Sequence, residues 1–263
     1  MSCLKNITLS VFLGLTAICF AKPEAGNTEA NKQLLNASLR GDTKKVKELL
    51  KAGVDVDTRD AFENTSLMLA ALNGQVEVMR QLLDAGANVN AVDVGGMPAL
   101  LHSFANGHAG GFELLRKAGA NIHATDDRGT NALILAAKSG HSVGIGQLLQ
   151  MLIDAGLDVN AQDKGGYTAL MYVTDIDQLS DPIRILIEAG ADVNKGPAGL
   201  TPLILAVQED LEPAVLKLLL ESGVQQKEIK QILQDIKLDD EVRALLKQYV
   251  KTSDTPTDIH EEL

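Results

Sequence analysis

A run of twelve residues, LLDAGANVNAVD at Leu82–Asp93, returns along the chain as LLKAGVDVDTRD, LRKAGANIHATD, LIDAGLDVNAQD and LIEAGADVNKGP. Its glycines fall at Gly53, Gly86, Gly119, Gly156, Gly190 and Gly223, spaced by 33, 33, 37, 34 and 33 residues. A second landmark keeps step with the first. Lys32, Thr65, Pro98, Asn131, Thr168 and Thr201 each stand two residues before a leucine, at spacings of 33, 33, 33, 37 and 33. A unit of this size cannot bury its own apolar side, so a period near 33 residues requires neighbouring units to stack into a solenoid.

Each unit reads as two helices and a turn. A short first helix such as TSLMLAALNG ends at a glycine able to take positive φ, at Gly41, Gly74, Gly107 and Gly140, with Asp177 and Asp210 in that place later. A second helix such as QVEVMRQLLDAG sets Val76, Met79, Leu82 and Leu83 on one side and ends at the glycine of the repeated run. The Asp and Asn residues that follow, with pairs such as Gly95-Gly96, supply the turn to the next unit. The 37-residue unit carries HSVGIGQLLQMLIDAG, in which four extra residues add about a helical turn to the second helix or a bulge at Gly144 and Gly146 on its approach. Aromatic residues are 3% of the chain and Trp is absent, so the core must be Leu, Ile, Val, Ala and Met.

These landmarks resemble the ankyrin repeat, whose pattern runs approximately G-x-T-P-L-H-x-A-A-x-x-G-H, a second helix, then L-L-x-x-G-A-D-V-N. The resemblance covers Asn31 to about Gly223. It departs from the pattern in that TPL is intact only at Thr201–Leu203, and the family's His is replaced by Leu35, Met68, Leu101, Ile134, Met171 and Ile204. The implied fold is an all-α solenoid of about six repeats over 31–223, followed by C-terminal capping helices over 224–250. Asn36, Ser38 and several lysines are expected to make the outer side of the N-terminal unit wetter, and Asp239 or Asp240 to cap the last helix.

The resemblance also implies a use: binding a protein through the turn tips and the exposed side of the first helices. Carried over residue by residue, the tips offer Phe62, Asn64, Val94, Met97, Arg128, Lys164, Tyr167 and Leu200. The first helices add Leu72, Asn73, Lys138, Asp175 and Gln208. Just before the Thr landmark stand Asn64, Met97, Thr130, Tyr167 and Leu200, three of them large and apolar. Such a stripe marks an interface if it faces solvent, or supports the neighbouring turns if it does not.

The first residues are a separate matter. MSCLKNITLSVFLGLTAICFAKPEAG has one cation, Lys5, a 14-residue apolar run from Ile7 to Phe20, and small residues at Cys19 and Ala21. Residues 1–21 read as a signal peptide cut before Lys22, the apolar run being shorter than the roughly 20 residues that span a bilayer. Lipidation of Cys19 is the lesser alternative, because bulky Ile18 precedes it. Residues 22–30 are expected to be a loose linker and 251–263 a disordered tail. Both cysteines, Cys3 and Cys19, lie in the leader, so the mature chain would have no thiol for a disulfide, a nucleophile or a zinc site. Sequons at Asn36 and Asn64 would put glycans inside packed repeats in a eukaryotic secretory pathway, which favours a bacterial periplasm. Exported bacterial ankyrin proteins are the group this chain resembles, and that resemblance implies a partner that inhibits, protects or scaffolds another protein.

A net charge of −11 opposes nucleic acid. No catalytic, cofactor or metal set can be assembled. His102, His108, His123 and His141 do not fall at metal-ligand spacings; His108 and His141 follow helix-ending glycines, and His102 beside Phe104 suits core packing. Asp175, Asp177 and Asp181 crowd one loop without the turn glycine and distal Glu of a calcium loop, and GIGQLL lacks the lysine of a phosphate loop. The expectation is a monomeric, non-enzymatic module binding a protein in the periplasm, with a secreted effector that binds host proteins as the alternative and an enzyme as the least supported reading.

Overall fold

The computed structural model of the protein describes residues 28–139, 144–174, 180–209, 211–235 and 238–251. The expected leader, most of the linker and tail, Gly140, His141, Asp175, Asp177 and Asp210 lie outside the described residues. Helices pair along the chain: α1 (Glu29–Arg40) with α2 (Thr43–Lys51), α3 (Ser66–Leu72) with α4 (Val76–Asp84), and α5 (Ala99–Ala105) with α6 (Phe112–Lys117). Then come α7 (Ala132–Lys138) with α8 (Ile145–Asp154), α9 (Ala169–Thr174) with α10 (Ser180–Glu188), and α11 (Pro202–Gln208) with α12 (Pro213–Glu221). The chain closes with α13 (Gln226–Asp235) and α14 (Asp240–Lys251). The fold is an all-α solenoid. Its first helices form an inner row, α1 on α3 through to α11, and its second helices an outer row.

The two landmarks work at opposite ends of the helix pair. Thr65, Asn131, Thr168 and Thr201 accept, through their side-chain oxygens, the backbone N–H three residues on, which starts α3, α7, α9 and α11. Pro98 has no side chain to do this, so α5 starts without that bond. Lys32 falls inside α1, which begins earlier, at Glu29, under the Thr28 hydroxyl. The last two residues assigned to the linker are therefore helical. Gly41, Gly74 and Gly107 end first helices at positive φ, and Gly53, Gly86, Gly119, Gly156, Gly190 and Gly223 do so after second helices. Gly86 has φ of 89°, and a Cβ there would meet no atom within 4 Å. Gly86→Ala thus carries only the left-handed penalty of about 1–2 kcal/mol, less the ~0.4–1 kcal/mol that a stiffer unfolded chain returns. Urea melts are expected to show a net loss near 1 kcal/mol, and a neutral result would contradict the cap.

Burial corrects two sequence readings. In α4 the fully buried residues are Val78, Met79 and Leu82; Val76 and Leu83 are half-buried. α4 packs against both α3 and the next outer helix, so its apolar stripe is centred one position away from the expected side. Ser38 of α1 was expected on the wet outer side but is fully buried, while Asn36 is exposed. α1 lies on α3 and packs on α2, and Leu34, Leu35, Ala37 and Ser38 are its buried residues.

The 37-residue unit breaks the outer row. α8 has ten residues against nine in α4, so only one extra residue lengthens the helix and the other three lie before it. Gly144, at φ 87°, caps its start. Elsewhere a polar residue ties each unit to the next: Asn90, Asn160 and Asn194 donate through Nδ2 to the carbonyls of Gly119, Gly190 and Gly223. Their Oδ1 atoms accept N–H groups of the following unit. His123 holds that position before the long unit, and no such tie is made there among the described residues. A groove of about 870 Å³ opens at this join between α6 and α8, lined by Phe112, Ile122, Gln147, Met151 and Asp154. At the C-terminal end Asp239 Oδ1 accepts from Val242 N–H to start α14, which packs on α12 and α13. Burial pushes the Glu228 carboxyl of α13 up, against the hydrogen bond from the Thr201 hydroxyl.

Candidate functional site

Between an outer helix and the next inner one, the chain turns out as a short finger, closed by single bridges at Arg59–Thr65, Val92–Pro98 and Gln162–Thr168. One aspartate organises each of the first four fingers, and Gly196 holds that place in the last. Asp60 Oδ1 accepts from the N–H groups of Phe62 and Asn64, and Asp93 Oδ1 from those of Gly95 and Met97. Asp126 and Asp163 repeat the arrangement with Arg128 and Thr130, and with Gly165 and Tyr167. A carboxylate accepting two N–H groups fixes the turn without help from neighbours. The residue two before the Thr landmark is then left-handed: Gly96, Gly129, Gly166 and Gly199 in later fingers, but Glu63, with φ of 63°, in the first.

The fingers join edge to edge into a row. Val94 N–H donates to the Phe62 carbonyl at 3.1 Å, Asp127 N–H to the Gly95 carbonyl at 2.9 Å, and Lys164 N–H to the Arg128 carbonyl at 2.8 Å. The next equivalent position is Pro197, which has no N–H, so the ladder stops there. Arg59 reinforces the first join by donating to the Val92 carbonyl at 2.9 Å.

Two fingers are also pinned to the inner row. Asp93 Oδ2 lies 2.9 Å from His102 Nε2 on α5, and both side chains are about nine-tenths buried. Tyr172 of α9 donates its hydroxyl to Asp163 Oδ2 at 2.7 Å. Burial alone would raise the Asp93 carboxyl; the bond and charge of His102 and the N–H groups of Met97 and Gly95 more than offset it and hold it below its usual range. A depressed carboxylate stabilises the fold above its unfolded pKa and loses that contribution as the pH falls through the folded value. Asp93→Asn is expected to cost about 1–3 kcal/mol at pH 7. Urea melts should show that deficit shrinking below about pH 4, where the unfolded-state aspartate titrates. An equal deficit at pH 7 and pH 3 would mean that the charge contributes nothing. For Tyr172, burial, the bond to Asp163 and that charge hold the phenol well above its usual range. Lys138 Nζ lies 5.3 Å from the centre of the Tyr172 ring; burial and the nearby Arg128 pull its pKa down.

The sequence-derived site residues divide. Phe62 and Val94 are exposed, at 44% and 63%, and Arg128, Lys164 and Gln208 are exposed too. Asn64, Leu72, Asn73, Met97, Lys138, Tyr167 and Leu200 are half-buried, and Asp175 lies outside the described residues. Asn73 spends its amide on the Leu39 carbonyl of the preceding unit, and Asn64 Nδ2 lies 3.2 and 3.0 Å from the Asp60 carboxylate oxygens. Met97 packs on the core and the Tyr167 ring sits 5.6 Å from that of Tyr172. Met97 and Tyr167 are therefore engaged from behind, and Leu200 is half-buried. In the first four fingers the main-chain N–H at this place is drawn to the finger aspartate. Thr130 at the equivalent place is buried outright.

Two features were missed in the sequence. Val92, 45% exposed, joins Phe62 and Val94 on the first two fingers, and these three are the exposed large hydrophobics among the described residues. The pinning pair was visible in principle: His102 and Tyr172 each stand nine residues after a finger aspartate, where other units carry Leu69, Leu135 and Leu205. Among the described residues no group of three or more His, Cys, Asp or Glu side chains is arranged to hold a metal ion, and no helix is long and apolar enough to cross a membrane.

Helix pairs stacked in register with a row of fingers define a class, and comparison with known families agrees. The family described as ankyrin repeats (3 copies) matches residues 34–126, 105–195 and 142–230. The chain belongs to the ankyrin-repeat family, whose repeats are generally protein–protein interaction modules. No curated protein matches the chain.

Proposed function

We propose that this chain is a non-enzymatic protein-binding solenoid, exported to a bacterial periplasm, whose first two fingers hold a partner protein and inhibit or protect it. The observation that carries the reading is the exposure of Phe62, Val92 and Val94 together on adjacent fingers. Apolar side chains left in water on a rigid, hydrogen-bonded scaffold gain free energy when a partner covers them. Export rests on the Ile7–Phe20 apolar run and the small residues before Lys22. The engaged Asn64 amide supports a compartment without N-glycosylation, because a glycan there would displace its bonds to Asp60.

Intact-mass measurement and cell fractionation test the location. The mature protein is expected to begin near Lys22 in the periplasmic fraction. Met1 retained on a cytosolic protein would reject it. Binding is tested by affinity capture of the tagged mature protein from its own organism, beside a variant carrying aspartate at Phe62 and Val94. A partner retained equally by both proteins would move the site away from the fingers.

A further inference from the structure

The finger row has a free edge. Val94, Asp127 and Lys164 each donate a main-chain N–H back to the preceding finger. The fourth member of that set is Ala61, which has no finger before it among the described residues, where the chain ahead of Val54 forms the α1–α2 pair. Ala61 is exposed, and among the described residues its N–H has no acceptor. Phe62 stands beside it, exposed, and Glu63 follows in the left-handed conformation that the other fingers give to glycine. A rare backbone conformation held beside an unpaired donor and an uncovered aromatic ring marks this finger as different from those behind it.

We propose that this edge takes up an extended segment of a partner protein, added as one more member of the finger row. This rests on the reading that the fingers bind protein, and specifies how. The occupant is a peptide stretch with a backbone carbonyl opposite Ala61 N–H and an apolar side chain over Phe62 and Val94. The argument is continuity: four successive fingers are already joined by three such bonds, at 3.1, 2.9 and 2.8 Å, so the geometry of the next addition is set by the row itself.

Pro197 supplies the test. It shows how this row ends where the N–H is missing; Ala61 is itself the second residue of the turn that Glu63 N–H closes on the Asp60 carbonyl, a place that favours proline, so Ala61→Pro removes the N–H at a position suited to it. The probes are 12-residue peptides selected from a random displayed library against the full mature chain and measured by fluorescence anisotropy. Their affinity is expected to fall about tenfold on Ala61→Pro, the scale of one lost hydrogen bond at an interface, and to be kept by Ala61→Gly. Hydrogen exchange at the Ala61 amide of the unaltered protein should slow when peptide is bound, a readout that stands even if the proline variant fails to fold. Failure to select any peptide, unchanged affinity for a folded Ala61→Pro, or unchanged exchange at Ala61 would each overturn strand addition. If the same peptides still lose binding on Phe62→Asp, the fingers remain a protein-binding surface and only the edge pairing falls. Dimers seen by sedimentation and dissolved by Ala61→Pro would assign the edge to a second copy of the chain, and would also overturn the proposal.

Discussion

Phe104→Ala is expected to destabilise the protein by about 3–5 kcal/mol, the usual scale for emptying a buried phenylalanine site. Phe104, fully buried in the last turn of α5, meets Phe112 at the start of α6, with ring centres 5.7 Å apart and planes tilted by 57°. This ring pair joins the end of α5 to the start of α6, beside the fully buried Leu100, Leu101 and Leu115. α6 has six residues and follows a 3₁₀ turn at Ala109–Gly111. A Cβ at Gly111 would meet the flexible tip of the Met79 side chain of α4, which would have to move aside. A solenoid is stable through nearest-neighbour contacts, so a loss in the third pair should divide it. The chain has three tyrosines, Tyr167, Tyr172 and Tyr249, all beyond that pair, and no tryptophan. Circular dichroism in urea is therefore expected to fall first, as the N-terminal pairs unfold, and tyrosine fluorescence at higher urea. A loss under about 1 kcal/mol would show that the ring pair is not a core element.

How much of this was legible depends on what each residue does. The glycines and the Thr landmark act on the backbone of their own unit, as caps and left-handed turns, so selection for the fold leaves them at a fixed spacing that one sequence displays. The Asn residues of the tie are part of the same motif, and the spacing alone marks His123 as a break in it. The finger aspartates are equally periodic, at Asp60, Asp93, Asp126 and Asp163, yet their meaning was hidden. Each bonds locally to N–H groups two and four residues on, but in two fingers also to a side chain nine residues on, a contact that exists only after the finger has folded back over the inner helix. That same fold-back decides exposure. Position by position, Met97 and Phe62 look alike as apolar tip residues. Met97 packs on the core, whereas Phe62 and Val94 stay outside the core cluster and are exposed. In α4, propensity and period gave the helix, while the exact buried side was set by contacts to neighbouring helices that periodicity does not encode.

That distinction between exposed and packed tip residues yields the second large effect. Phe62→Asp with Val94→Asp is expected to leave the urea midpoint nearly unchanged, since exposed substitutions usually shift stability within about 0.5 kcal/mol each. The bond between the two fingers runs through the Val94 N–H and the Phe62 carbonyl, which neither substitution removes. Partner binding should weaken by at least the ~2 kcal/mol that one central apolar anchor contributes, or about 30-fold, and by less than twice that loss if the two side chains share one pocket on the partner. The matched variant Met97→Asp with Tyr167→Asp should behave in the opposite way. Its carboxylates would enter the half-buried space against the core and against Tyr172, so the melt should fall by several kcal/mol. Binding, corrected for the folded fraction, should then change little, because those residues support the fingers from behind. The assignment fails if the first variant binds as the unaltered protein does, and it fails equally if the second stays fully folded while losing its partner, because the binding surface would then be the fold-back stripe.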